Sequence, residues 1–219
     1  MISIQNLNYK YDNNLNSLNN VNLTIEKGEK LAFTGIDGYD GKKIFLKLIT
    51  GLEKSKEGTI FIDYKNIDVI DFSQDVSMAY LSKETPFFYT KTVYKNLEYV
   101  YNIRNVFDGY ELKIQDALKK FGILSLMDKR IKSLTDFEKI LVALCRISLR
   151  NIDYFVIEDI FDGLQTQEID SILNKILLIL NENEQTTIKC ETQNEYIIER
   201  LGLNILKFEN GEISKENNF

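Results

Sequence analysis

The feature that most constrains the chain is a switch of pattern around residue 35. Lys30-Leu31-Ala32-Phe33-Thr34 is an apolar run that ends in a glycine-rich turn, Gly35-Ile-Asp-Gly38-Tyr-Asp-Gly41. After the turn, Ile44, Phe45, Leu48, Ile49 and Leu52 recur every three or four residues. The run reads as a buried strand and the recurrence as a helix with one apolar side. A buried strand that turns sharply into a helix points to α/β layering. It also brings backbone N–H groups together at the positive end of a helix, where a phosphate is favoured.

The rest of the chain repeats the alternation. Ile2, Ile4 and Leu7, then Val21, Leu23 and Ile25, are separated by turn-formers and read as short antiparallel strands. Strands are expected at 58–62 and 76–81, and the stretch from about 84 to 150 reads as mostly helical. Tyr154-Phe-Val-Ile157 is a compact strand ending in Glu158-Asp159. The clearest helix spans 166–182, with Ile169, Ile172, Leu173, Ile176, Leu177 and Leu180 as its apolar stripe and Thr166 as its N-cap. Strand 186–190, helix 194–201 and strand 203–208 follow. The expectation is a mostly parallel sheet with a helical insertion.

Composition removes whole chemistries. The chain has no histidine, which excludes Ser-His-Asp hydrolysis, Cys-His proteolysis and HExxH zinc sites. Two cysteines, Cys145 and Cys190, are too few for a thiolate zinc site and read as reduced core residues. A net charge of -6 argues against nucleic acid as a partner. The longest apolar stretch, Ile176 to Leu180, is far short of a bilayer span, and the N-terminus lacks signal-peptide anatomy. The reading is a cytoplasmic chain.

Gly41-Lys42 fits the Gly-Lys pair of a Walker A loop. The full pattern is not met: Gly35 and Gly38 sit one residue too far from Lys42, and Lys43 stands where Ser or Thr holds Mg²⁺. By itself the turn fits a phosphate cradle or a plain glycine turn. Its surroundings favour the cradle. The opening Leu7-Asn-Tyr-Lys-Tyr11, the runs Leu18 to Glu29 and Ile44 to Leu52, and Glu57-Gly58-Thr-Ile60 are arranged in the order of a known family. So are Ala79 to Glu84, Thr92 to Leu97, Leu134-Thr-Asp-Phe-Glu138, Val156-Ile-Glu-Asp159, Asp162-Gly-Leu-Gln165 and Glu191-Thr-Gln-Asn194. With these stations the sequence resembles the nucleotide-binding domain of ATP-binding cassette (ABC) transporters along its whole length.

The resemblance implies an α/β fold: a P-loop NTPase-like, mostly parallel sheet core, an N-terminal antiparallel β subdomain and an inserted helical subdomain. It implies one domain over 1–219, with the core in 1–83 and 151–219 and the helical, signature-bearing part at about 84–150. It sets Tyr11 against adenine, Gly35, Gly38, Gly41, Lys42 and Lys43 around the phosphates, and Lys83 at the Q-loop glutamine. Leu134, Thr135, Asp136, Phe137 and Glu138 fall at the LSGGQ signature. Glu158 and Asp159 fall at Walker B, with Glu158 as a metal ligand for Mg²⁺, and Gln193 falls at the switch histidine. ATP and Mg²⁺ are the implied cofactors.

Nearly every catalytic station departs from the family pattern. Lys43 cannot ligate a cation, and Asp40 puts a carboxylate in the anion cradle. The Asp-Glu order of Walker B is reversed, and about 1 Å of misplacement can cost on the order of 100-fold in rate. Gln193 carries no charge, and Asp136 and Phe137 replace two glycines; Asp136 also reads as a helix N-cap. The expectation is a degenerate ABC subunit on the inner face of the cell membrane. It would dock on a polytopic membrane subunit, with Phe87-Phe88-Tyr89 near the contact or filling the core around Pro86, and pair with a second nucleotide-binding subunit, a hetero-dimer rather than a homodimer. The alternatives are an active but divergent ABC ATPase and a non-enzymatic adaptor.

Overall fold

The computed structural model describes residues 1–10, 16–35, 41–72, 75–103, 108–182 and 187–216. It separates into two compact units. The first comprises Met1–Tyr80, Asp153–Asp159 and Glu184–Phe219, and the second Leu81–Ile152 and Ile160–Asn183.

The first unit opens with β1 (Ile2–Lys10), β2 (Asn16–Ile25), β3 (Lys30–Gly35), α1 (Lys42–Ile49), β4 (Glu57–Ile62) and β5 (Lys65–Asn66). Strand β6 (Met78–Ser82) crosses into the second unit, which holds α2 (Val93–Asn102), α3 (Tyr110–Phe121) and α4 (Asp136–Ser148). The chain returns through β7 (Tyr154–Glu158), adds α5 (Thr166–Glu182) to the second unit, and closes the first with β8 (Thr187–Glu191), α6 (Glu195–Leu201), β9 (Asn204–Glu209) and β10 (Glu212–Glu216). One sheet has the order β2-β1-β4-β5 and is antiparallel. The other has the order β10-β9-β3-β8-β7-β6; β9, β3, β8 and β7 run parallel, and β10 turns back on β9. This is the α/β architecture expected from the alternation of strands and helices.

The core of the first unit lies where both sheets turn their apolar sides to α1. Ile2, Leu7, Ile60 and Ile62 come from the antiparallel sheet, and Phe33, Val156 and Leu206 from the parallel one. Phe33, Phe45 and Phe208 meet with ring centroids 5.3–5.5 Å apart at tilted to edge-on angles, the arrangement that aromatic quadrupoles favour. Each such side chain contributes about 1.5–3 kcal/mol by leaving water.

The step of three between Ile4 and Leu7 breaks strand alternation, yet both are buried. The register shifts between them, and Asn6 takes a positive φ of 50° to absorb the extra residue. Opposite this bulge, a Cβ on Gly58 would lie 2.5 Å from the Asn6 carbonyl oxygen, so only glycine fits there.

Local boundaries differ from the sequence reading in two places. Helix α1 ends at Ile49; Gly51 turns with φ +70°, and Leu52, read as a helix position, is 62% exposed. Helix α5 begins at Thr166 rather than being capped by it, and the Glu168 carboxylate accepts from the Gln165 N–H at 3.0 Å. Its buried stripe is Ile172, Leu173, Ile176, Ile179 and Leu180; Ile169 and Leu177 are half-buried.

Candidate functional site

Three parallel strands of the first unit end level with one another. Phe33 of β3 pairs in register with Glu191 of β8, and Glu191 with Glu158 of β7. The C-terminal edge of a parallel sheet is where α/β folds hold ligands. Here it carries Gly35 at the end of β3, Asp159 after β7 and Gln193 after β8, with Gly41, Lys42 and Lys43 at the start of α1.

Gly41 adopts φ 81°, caps α1 without a side chain, and accepts from the Phe45 N–H at 2.8 Å. That left-handed turn drives the following Lys42 inward, where it is 3% exposed. Its Nζ donates to the Gly35 carbonyl oxygen at 3.0 Å. The Gln193 side-chain amide donates to the same carbonyl oxygen. One backbone acceptor thus receives both the cation of the glycine turn and the side chain after β8. Lys43, one position further into α1, is exposed. Tyr11, Gly38 and Asp40 lie outside the described residues.

At the end of β7 the two carboxylates differ. Glu158 is half-buried and accepts a hydrogen bond from the Tyr80 hydroxyl. Asp159 is exposed, with its backbone in the left-handed region at φ 42°. Mg²⁺ requires oxygen donors in near-octahedral array. Lys43 offers an ammonium, which has no lone pair. One oxygen of Glu158 is engaged by Tyr80, and among the described residues no three His, Cys, Asp or Glu side chains converge. Mg²⁺ held together with a polyphosphate needs only one or two protein oxygens, and the carboxylates described at this strand end are those of Glu158 and Asp159.

In the second unit, Lys83 donates to Asp162 at 3.2 Å across an exposed ion pair. The turn that carries Lys83 is closed by buried Thr85, whose hydroxyl donates to the Ser82 carbonyl at 2.7 Å and accepts from its N–H at 3.0 Å. Further along, Thr135 is the N-cap of α4. Its hydroxyl accepts from the Glu138 N–H at 3.1 Å, and the Glu138 carboxylate accepts from the Thr135 N–H at 2.9 Å, a reciprocal capping box. Asp136 is therefore not the cap but the first helical residue. It pairs with Lys139 at 2.8 Å, and that hydrogen bond holds its carboxyl below the usual range. Phe137 follows in the first turn, and Leu134 before the cap is buried. A cavity of about 350 Å³ opens beside these groups, lined by Lys83, Asp136, Lys139, Asp162, Phe87 and Tyr89 among others.

The Phe87-Phe88-Tyr89 segment is held from beneath. Buried Asn96 accepts from the Phe88 N–H at 2.8 Å and donates to the carbonyls of Phe88 at 3.2 Å and Thr92 at 2.9 Å. Arg146 donates to the Pro86 carbonyl at 2.8 Å and lies 4.7 Å over the Phe87 ring. Phe88 and Tyr89 remain 48% and 49% exposed.

Sequence reasoning missed Tyr80, Asp162 and Asn96 as partners. Alternation along Met78 to Ser82 sets Tyr80 on the face opposite buried Ala79 and Leu81, a legible signal. Nothing local marks the partners of Asp162 or Asn96.

A family model described as "ABC transporter" matches residues 18–160. The energy-coupling factor transporter ATP-binding protein EcfA of Methanothermobacter thermautotrophicus is 25% identical over 99% of this chain and 70% of its own length. The methionine import ATP-binding protein MetN of Bacillus subtilis is 26% identical over 99% of this chain and 65% of its own length. Among solved structures, the ATP-binding cassette MJ0796, a post-hydrolysis dimer bound to ADP and Pi, superposes with a TM-score of 0.80 at 20% identity over the whole of both chains. The cbiO1 protein of Clostridium perfringens, part of the ABC transporter complex cbiONQ, gives 0.76 at 21% identity over 97% of this chain and 86% of that one. These two likenesses bear on the fold.

Proposed function

Because the chain belongs to the ABC transporter family, we propose that residues 1–219 form one nucleotide-binding domain of a transporter, in which ATP hydrolysis is weak or absent. The observation that carries the reading is at Gly35. Lys42 and Gln193, the side chains that would reach the outer phosphates, both spend a hydrogen bond on its carbonyl oxygen. The engagement of Glu158 by Tyr80 supports the same reading, since one of its oxygens is already committed to a neighbouring hydroxyl. Catalysis uses such groups on the developing charge of the transferred phosphoryl, and here each has one donor committed to the backbone.

Paired subunits of this family close each nucleotide site with the partner's signature. Asp136 keeps its negative charge through its bond with Lys139, which opposes a polyphosphate approaching Thr135 to Glu138. A homodimer would repeat that opposition at both sites. The pairing proposed is therefore with a second, more competent nucleotide-binding subunit. The membrane partner proposed is a polytopic transporter subunit that meets Phe88 and Tyr89, which supports a peripheral location on the inner face of the cell membrane. Among the described residues, no helix is long and apolar enough to cross a membrane.

The test is phosphate release by the purified chain, alone and with its co-purified partners. The isolated chain is expected to stay at background. A turnover in the ordinary enzymatic range of about 1–10³ s⁻¹, abolished by Asp159→Asn, would favour an active, divergent ATPase and overturn the reading.

A further inference from the structure

The cavity of about 350 Å³ beside α4 is built entirely from residues of the second unit, whereas Lys42, Gln193 and the ends of β3, β7 and β8 belong to the first. Its floor is apolar: Leu81, Ile140, Ala143 and Ile160 line it, and all four are buried. A volume of this size, apolar with a few polar groups at its edge, suits a small molecule. Two rings make one wall. Phe87 and Tyr89 stand 80° apart with centroids 6.3 Å from each other, a corner in which a third ring meets one face and one edge. The Arg146 guanidinium over Phe87 and the Asn96 bonds at Phe88 hold that wall, so folding itself sets the corner.

The edge of the cavity selects the charge of its occupant. It carries two ion pairs, Lys83 with Asp162 at 3.2 Å and Lys139 with Asp136 at 2.8 Å. The two aspartates are 80% and 91% exposed, so water already solvates their charge, while Lys83 is 44% and Lys139 only 29% exposed. Exposed pairs of this kind contribute little to stability. An ammonium on a four-carbon stem re-aims its three donors by rotation, and an aspartate, with its carboxylate on a single carbon, has no such reach. An anion entering the cavity therefore gains the lysines, and a cation is opposed by the less solvated charges.

We propose that this cavity binds a small aromatic carboxylate, its ring seated against Phe87 and Tyr89 over the apolar floor and its carboxylate taken by Lys139 and Lys83. The site is independent of the nucleotide reading and uses none of the residues on which that reading stands.

The test is a calorimetric titration of the full chain with 2-naphthoate, and with 2-naphthamide and 2-naphthylmethylammonium as neutral and cationic analogues of the same ring. Naphthoate is expected to bind at least tenfold more tightly than either analogue. Lys83→Gln combined with Lys139→Gln is expected to weaken naphthoate at least tenfold and leave the amide unchanged. Ala143→Leu, which fills the cavity from its floor, is expected to weaken both at least tenfold. The preference for the anion is read on the wild-type protein, and the lysine changes touch only exposed ion pairs, so a misfolded Ala143→Leu leaves the proposal decidable. Equal affinity for the three probes, tightest binding of the cation, or no binding of naphthoate overturns it. So does either variant, folded, that binds naphthoate as the wild type does. The nucleotide reading stands in every one of these outcomes.

Discussion

Cys145 sits inside α4 with no exposed surface, and burial pushes its thiol from an ordinary value of 9.0 up to about 12, slightly offset by Lys175. The folded protein therefore keeps this proton over a pH range in which the unfolded chain releases it. The sign follows from linkage: the unfolded state binds fewer protons there, so stability is full below about pH 9 and declines as pH rises towards 12. Urea unfolding at a series of pH values from about 8 to 10.5 should show this decline, and Cys145→Ala should flatten it while lowering stability overall. An unchanged slope in the variant would assign the decline to other groups. The same burial makes Cys145 unreactive towards thiol reagents until the protein unfolds.

A single helix start illustrates what can and cannot be read before a fold is known. The Thr-x-x-Glu spacing of Thr135 and Glu138 is visible in the sequence, and the structure closes it into a reciprocal cap. Thr135→Ala should cost about 1 kcal/mol, measured by chemical denaturation; a cost near zero would mean that the two bonds do not hold the helix start. The start of α1 after left-handed Gly41 and the apolar stripe of α5 were legible because glycine chemistry and helical period are local. The positions of Leu52 and Thr166 were less so, because an apolar or hydroxyl residue at a helix end satisfies the periodic pattern equally well one residue inside or outside. The bonds that define the site were not legible at all. Gln193 and Gly35 are separated by 158 residues, and Tyr80 and Glu158 by 78. Only the pairing order of β3, β8, β7 and β6 brings such groups together, and no local rule encodes it.

Across the whole molecule, the candidate groups are divided between the units. The first unit supplies the glycine turn and the strand ends, and the second supplies the aromatic segment, the capped α4 and the Lys83–Asp162 pair. If the aromatic segment meets a membrane subunit, Phe88→Ala combined with Tyr89→Ala should reduce co-purification of that subunit at least tenfold, with nucleotide affinity unchanged. Retention at the wild-type level would move the contact elsewhere.

The three hydrogen bonds of Asn96 bear on that contact in another way. A loop that must become ordered on meeting a partner loses affinity to the entropy of its own side chains and backbone, about 0.5–1.5 kcal/mol for each mobile side chain immobilised. The backbone at Phe88 is already held by a buried amide, and the ring of Phe87 by a guanidinium. Much of that ordering is complete once the chain has folded. The aromatic segment is thus a preorganised surface: an encounter with the proposed partner would be closer to the fit of two rigid bodies, and tight association there would need fewer contacts than a mobile loop of the same composition.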